Sequence, residues 1–582
     1  MTTASKPEQY DLPSETQLQQ WAAAYFPEFD PKVCSQGINA LAAEGDTAII
    51  ERAAAQGLAA AQRFDTASAG ELNLPYTGGA AIPQAVEAGV LDQESEGTAL
   101  WSSVTPWWES ETAQSSAATA PAAAHTQAYY RGVGTEQGTK PQQSVSYAPV
   151  VVSQSAAQQG GAQSVQTAVR ELQQPTQIRV GPRSLDSIRA DFPILQESVN
   201  SHPLIWFDNG ATTQRPQQVI DRLSYYYLHE NSNVHRGAHE LAARSTDAYE
   251  DARQKVADFI GAPSKDNIVW VRGTTEGINL VAAAFVRPQL KPGDEIIVSL
   301  LEHHANIVPW QLIAQQTGAV LKVIPVDEAG DLNLKAYESL FTPRTRFVSV
   351  TEVSNTLGTI TPVPELVQIA HRHGVPILID GAQSAAHLPV NVTASGADFY
   401  VFSGHKIYGP NGIGAVYGRK ELWEQASPYQ GGGNMIRDVT FERTIYNEAP
   451  AKFEAGTGSI ADAVGLGAAL DYLTELGMAN VAAYEHELTQ YAVRELKKVK
   501  GLHLIGAPLN KSGVLSFVLD GYDVTAVGEH LNRYGIAVRA GHHCAQPVLR
   551  HFGVEGTVRP VLGLYNTPAE VDELVRALYA LV

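Results

Sequence analysis

Residues 375–414 read VPILIDGAQSAAHLPVNVTASGADFYVFSGHKIYGPNGIG, and the two apolar runs within them decide the fold. VPILID and DFYVFS are short, rich in β-branched and aromatic residues, and lack the polar alternation of a half-solvated strand. The same texture extends outward in the sequence. NIVWV, DEIIVS, LKVIPV and RFVSVTEV come before, separated by helical stretches such as PVPELVQIAHRHG. Continuous apolar strands alternating with amphipathic helices predict an α/β fold with a mainly parallel sheet covered on both faces. In such sheets ligands bind at the carboxyl ends of the strands. That rule selects Asp380, which ends VPILID, and Ser403, His405 and Lys406, which end or follow DFYVFS.

Away from this region the chain changes character. Its 582 residues are too many for one compact core, so more than one domain is expected. Residues 1–111 carry helix-forming stretches at 15–26 and 47–61, interrupted by LPYTGGAAIP, and read as a small, partly helical module. Trp107 and Trp108 fit a small core better than a partner-binding anchor. Residues 112–183 are rich in Ala, Gln and Ser and read as a low-complexity linker; the α/β texture fills residues 184–582. A net charge of -20 without a compensating basic cluster argues against nucleic acid and anionic membranes as partners. The start of the sequence lacks a basic region followed by an apolar run, and no stretch reaches the roughly 18 apolar residues of a membrane span, so a cytoplasmic protein is expected. Two cysteines, Cys34 and Cys544, give neither a disulfide framework nor a metal site.

A lone lysine beside glycines is most often an exposed loop residue, and a carboxylate at a strand end is often only a helix cap. An aspartate, a further strand, and then Ser-x-His-Lys beside a Gly-rich turn is a much rarer combination. It suits pyridoxal phosphate. A lysine amine condenses with the aldehyde, a carboxylate keeps the ring nitrogen protonated, and hydroxyl, imidazole and backbone donors hold the phosphate. RGTTEG at 272–277 follows NIVWV and opens a helical run, so Thr274 and Thr275 stand where N–H groups meet an anion. The Thr and Glu there serve equally well as an N-cap pair.

These motifs resemble the class V aminotransferase branch of fold-type I pyridoxal-phosphate enzymes. The resemblance implies a large domain with a mainly parallel, seven-stranded-type sheet over about residues 204–470, and a small C-terminal α+β domain built from residues 184–203 and about 471–582. It implies that Lys406 holds the cofactor aldehyde, that Asp380 pairs with the ring nitrogen and that Gln383 bonds the ring hydroxyl. Thr274, Thr275, Ser403 and His405 are implied on the phosphate, and His303, in LEHHANIVPWQ, on the ring face. Thr457, in FEAGTGS, falls where a neighbouring subunit lends a phosphate ligand, which implies a homodimer.

The segment GIAVRAGHHCAQPVLRHFG at 535–553 sets Cys544 beside Arg539, His542 and His543 in a loop marked by Gly541 and Pro547, and nearby positive charge favours a reactive thiolate. Cys34 has no such setting and reads as a buried or inert thiol. RAGHHCAQP closely resembles the persulfide loop of the SufS-type, or group II, cysteine desulfurases. WFDNGATTQRPQQVI, NVHRGAHELAARST, TEVSNTLGT and VRPVLGLYNT agree with the same subfamily, in order, from Ser184 to Val582. The resemblance implies conversion of L-cysteine to L-alanine with a persulfide on Cys544. Arg559 is implied as the bidentate grip on the substrate carboxylate, assisted by Asn355, with Arg236 and Arg539 as further candidates. A sulfur acceptor of the SufE or SufU type and a role in iron–sulfur cluster assembly are also implied. Selenocysteine lyase, acting on L-selenocysteine with nearly the same residues, and a class V aminotransferase in which Cys544 is incidental remain open.

Overall fold

The computed structural model describes residues 178–234 and 239–582. The N-terminal module, nearly all of the expected linker, Cys34, Trp107, Trp108 and Arg236 lie outside the described residues.

Seven strands form the main sheet: β1 (Ile268–Val271), β2 (Glu295–Ser299), β3 (Val320–Ile324), β4 (Thr345–Thr351), β5 (Ile377–Asp380), β6 (Phe399–Ser403) and β7 (Gly414–Gly418). Their order across the sheet is β1-β7-β6-β5-β4-β2-β3. All neighbouring pairs are parallel except those of β7, which runs antiparallel to β6 and β1. Every residue of β1, β5, β6 and β7 is buried, as the unbroken apolar runs predicted for a sheet covered on both faces. β3 lies at the edge and leaves Val320 and Val323 exposed.

The helices follow from the same patterning. Val363–Arg372 buries Val363, Leu366, Val367 and Ala370, one stripe of a 3.6-residue period. It ends where Gly374 takes φ +68° and the Val375 and Gly374 N–H groups bond back to Ala370 and His371, turning the chain directly into β5. Ile460–Leu476 is apolar on nearly all sides because it packs against both Gln217–His229 and Glu240–Phe259.

One buried ion pair ties these layers to the loop before Ile460. Arg253, 1% exposed, meets both carboxylate oxygens of Glu454 at 2.6 and 3.0 Å, and Glu454 also accepts the Trp270 N–H of β1 at 2.8 Å. Removing the carboxylate leaves the buried guanidinium with the longer Glu250 contact, at 3.3 Å, as its remaining carboxylate partner and the Trp270 N–H without its acceptor. Glu454→Ala should therefore cost about 3–5 kcal/mol, read as a lowered urea midpoint; a midpoint equal to the parent's would refute this role for the pair.

A second sheet is antiparallel throughout, with β8 (Leu502–Leu504), β9 (Phe517–Leu519), β10 (Arg539–Gly541) and β11 (Thr557–Arg559) in the order β8-β9-β11-β10. The short strand Ile205–Trp206 pairs in parallel with Ile536–Ala537 just before β10. That pairing sets Asp208 beside the residues of β10 and β11.

Candidate active site

Asp380 is the last residue of β5, in register with Thr351 of β4 and Val401 of β6, and 2% exposed. One of its oxygens accepts the Ala382 N–H at 2.9 Å. Burial pushes its carboxyl up from the ordinary range, while Lys406 pulls it back. Lys406 follows β6 in the turn Gly404–Lys406; burial pushes its amine down to about 8, against the pull of Asp380. An amine lowered this far has a sizeable neutral fraction near neutral pH, the form that attacks an aldehyde.

The turn carrying Lys406 is clamped from a distant stretch. The His405 carbonyl accepts the Thr213 N–H at 3.0 Å and the Thr212 hydroxyl at 2.9 Å, and Tyr408, at φ +62°, donates its N–H to the Thr213 hydroxyl at 2.8 Å. Gly404 N–H bonds Ile413 O at 2.8 Å on the other side. Thr212 and Thr213 belong to WFDNGATT, which the sequence marked without giving these residues a task.

Ser403 and Thr274 meet: the Ser403 hydroxyl accepts the Thr274 N–H at 2.8 Å, and the two hydroxyls lie 2.9 Å apart. The helix Thr274–Leu280 has Gly273 at its N-cap with no side-chain cap of its own, so the expected Thr–Glu cap pair does not form; Ser403 of β6 takes the Thr274 N–H instead, and Thr275 is exposed. His405 is half-buried, and burial with Lys406 pushes it down to about 4, so the ring is neutral. Gln383 is 4% exposed and donates one amide proton to Gly210 O at 2.8 Å, keeping the other for a ligand.

His303 accepts the Ala305 N–H at Nδ1, 3.0 Å, which places the ring proton on Nε2. Burial, then Lys406, His304 and Arg559, push it down to about 3; a neutral ring results. Beneath it lies Glu302, a residue the sequence reading passed over. Fully buried, it accepts the Ser299 hydroxyl, the Asn306 amide at 2.6 Å and the Thr351 N–H at 3.0 Å, and burial pushes it up to about 8. It anchors the His303 segment to the end of β4, next to Asp380.

Arg559 is 2% exposed and donates to the Asn355 carbonyl at 2.8 Å. Its Nε is buried without a partner, as is Oδ1 of Asn355. A buried donor with no acceptor marks the place for a carboxylate. Arg539 stands opposite Arg559 in the β10–β11 register and is held by Asp208 at 3.1 and 3.2 Å, whereas Arg559 is 3.7 Å from the other Asp208 oxygen. Asp208, like Thr212, Thr213 and Glu302, had no task assigned from the sequence. Cys544, half-buried, follows β10, and Asn355 links its turn to Arg559: the Asn355 amide donates to the His543 carbonyl at 2.8 Å and its backbone carbonyl accepts from Arg559 at 2.8 Å. Thr457 is exposed and lines a cavity of about 640 Å³ with Arg272 and Glu276.

The donor set fits pyridoxal phosphate. A buried carboxylate joined by no ion pair among the described residues stands ready for a ring N–H, a lysine amine near neutrality for an aldehyde, and helix-start N–H groups with hydroxyls for a phosphate. No described helix is long and apolar enough to cross a membrane.

Comparison with known proteins agrees with this chemistry. The aminotransferase class-V family pattern matches residues 205–574. A protein of Mycolicibacterium paratuberculosis named probable cysteine desulfurase is 62% identical over 392 residues, 67% of this chain but 57% of that one, so the match spans less than two thirds of that relative. A probable cysteine desulfurase of Vibrio cholerae is 48% identical over 399 residues, 69% of this chain and 98% of that one. The crystal structure of the cysteine desulfurase CsdA from Escherichia coli, 41% identical, superposes with a TM-score of 0.64 over 68% of this chain and 97% of its own. With its parallel sheet, its strand-end aspartate and lysine, and these relatives, the chain belongs to the class-V aminotransferase family.

Proposed function

We propose that this protein is a pyridoxal-phosphate-dependent cysteine desulfurase that takes the sulfur of L-cysteine onto Cys544 and releases L-alanine. The observation that carries the reading is a half-buried thiol whose turn is joined through Asn355 to a buried arginine with a free Nε, in a fold whose strand-end lysine suits a cofactor aldehyde. When bound, pyridoxal phosphate supplies an aldehyde that captures amines and a protonated ring that draws electrons from bonds at the substrate's Cα and Cβ.

The chain's own residues do the rest. Lys406 would hold the cofactor aldehyde, and its amine, when free, would take the Cα proton of the substrate. Asp380 would keep a proton on the ring nitrogen, since its own burial favours a charge-balancing partner there. His303 covers the ring face as a neutral imidazole. Gln383 would donate a hydrogen bond from its second amide N–H to the ring hydroxyl, and Thr274, Thr275, Ser403 and His405 would hold the phosphate. Arg559 binds the substrate carboxylate through its free edge, with Asn355 beside it and Arg539 held back by Asp208. Arg236 belongs to the same reading from the sequence alone.

Cys544 as thiolate attacks the substrate sulfur. The new S–S bond forms as the substrate C–S bond breaks, its electron pair goes to carbon, and protonation there completes L-alanine. The sulfur then leaves Cys544 for a small acceptor protein of the SufE or SufU type and serves iron–sulfur cluster assembly. A second copy of the chain lends Thr457 to the phosphate; support comes from its exposure in the cavity beside Arg272 and from exposed Ile220, Tyr225 and Leu228 on one helix.

Product analysis tests the proposal. With L-cysteine and a thiol reductant, L-alanine should appear in step with sulfide. A keto acid in place of alanine would instead identify transamination.

A further inference from the structure

Cys544 sits in a backbone conformation that side chains rarely adopt. His543 has φ +52° and Cys544 φ +55°, two consecutive left-handed residues, neither of them glycine. Such a turn persists only where its surroundings over-determine it.

Four hydrogen bonds hold it. The His543 carbonyl accepts from the Asn355 amide at 2.8 Å, and the Cys544 carbonyl accepts the His304 N–H at 2.8 Å. The Cys544 N–H donates to Nδ1 of His542 at 3.1 Å, and the Ala545 N–H to the His542 carbonyl at 2.9 Å. The turn is thus tied to Asn355, beside the carboxylate-binding arginine, and to the segment that carries His303.

Underneath is the His543 ring, 6% exposed. Its Nε2 lies 3.0 Å from the Thr557 carbonyl and 2.8 Å from the Thr557 hydroxyl. A carbonyl only accepts, so Nε2 carries the proton. Nδ1 is buried and without a partner. Burial first, then Arg559, push the ring down to about 2, with Arg539 and His542 adding to the effect. The ring therefore stays neutral, with its one N–H committed to β11. Thr557 pairs with Gly541 across β10 and β11 and lies two residues before Arg559.

We propose that His543 is a positioning residue, a strut that donates Nε2–H to Thr557 and so keeps the left-handed turn that holds the Cys544 thiol beside Lys406 and Arg559. The proposal rests on the reading of Cys544 as sulfur acceptor. It assigns His543 no proton transfer, which separates it from the exposed His542.

The test compares H543A and H543Q as holoenzymes with the parent. The glutamine amide offers an N–H from the end of a side chain of comparable reach, without an imidazole. Both variants should keep the cofactor absorption band, its change on adding L-cysteine, and the parent's KM. In a single turnover, sulfur should reach Cys544 of H543A roughly 10- to 100-fold more slowly, the scale of a small misplacement of a reacting group. H543Q should regain most of that rate. Hydrogen exchange supplies a readout independent of turnover: residues 540–546 should exchange faster in H543A, while Ile377–Asp380 and Phe399–Ser403 keep the parent's protection. Sulfur arrival at the parent's rate in H543A, or an H543Q as slow as H543A, would overturn the strut. Full alanine release by C544A would overturn instead the reading on which it rests.

Discussion

Cys544→Ala should stop alanine release from L-cysteine almost entirely, by roughly three orders of magnitude or more, while the cofactor band stays intact. The expectation follows from the division of labour in the site. In the proposed site Asp380, Lys406 and His303 would hold the cofactor and are untouched by the substitution, so binding of L-cysteine and loss of its Cα proton should proceed. What is lost is the only described sulfur nucleophile, and without it the C–S bond has no group to receive its sulfur. The variant should accordingly show the spectral change on mixing with substrate and then stall. Turnover at the parent's rate would remove Cys544 from the mechanism and leave a general class V enzyme.

Lys406→Ala should fail earlier. In the proposed mechanism the amine has two tasks, holding the aldehyde and moving the Cα proton, and loss of a positioned acid–base group alone costs about 10²- to 10⁴-fold. The variant should not form the absorption band of a lysine-linked cofactor, and multiple turnover should fall at least by that factor. The sign of the pH effect on the parent is set by the lowered amine. Because burial holds Lys406 down to about 8, apoprotein should take up pyridoxal phosphate faster as pH rises from 7 toward 9, and level off once the amine is neutral. Uptake independent of pH over that interval, or a cycling Lys406→Ala variant, would contradict the assignment.

The strands and the Asp380–Lys406 pair were legible because each signal is local. Apolar runs such as VPILID fill both faces of the sheet, and the strand-end rule then selects the residues that follow them. Thr212, Thr213, Asp208 and Glu302 were not legible as site residues. Their tasks depend on partners far along the chain: Thr213 clamps His405 across 192 positions, and Asp208 meets Arg539 across 331. For Glu302 a signal was present, a carboxylate directly after the apolar run EIIVSLL, where only a satisfied or functional charge is tolerated. Ser403 and Gln383 show the opposite lesson. The sequence offered them to the cofactor alone, whereas the structure shows each bonded to the protein, Ser403 to Thr274 and Gln383 to Gly210.

The most direct test of the account is the mass of the Cys544 peptide after the holoenzyme meets L-cysteine with no acceptor or reductant present. One added sulfur on Cys544, removed by a thiol reductant, is the predicted result. An unmodified Cys544 peptide with L-alanine still formed, or sulfur found only on Cys34, would contradict it.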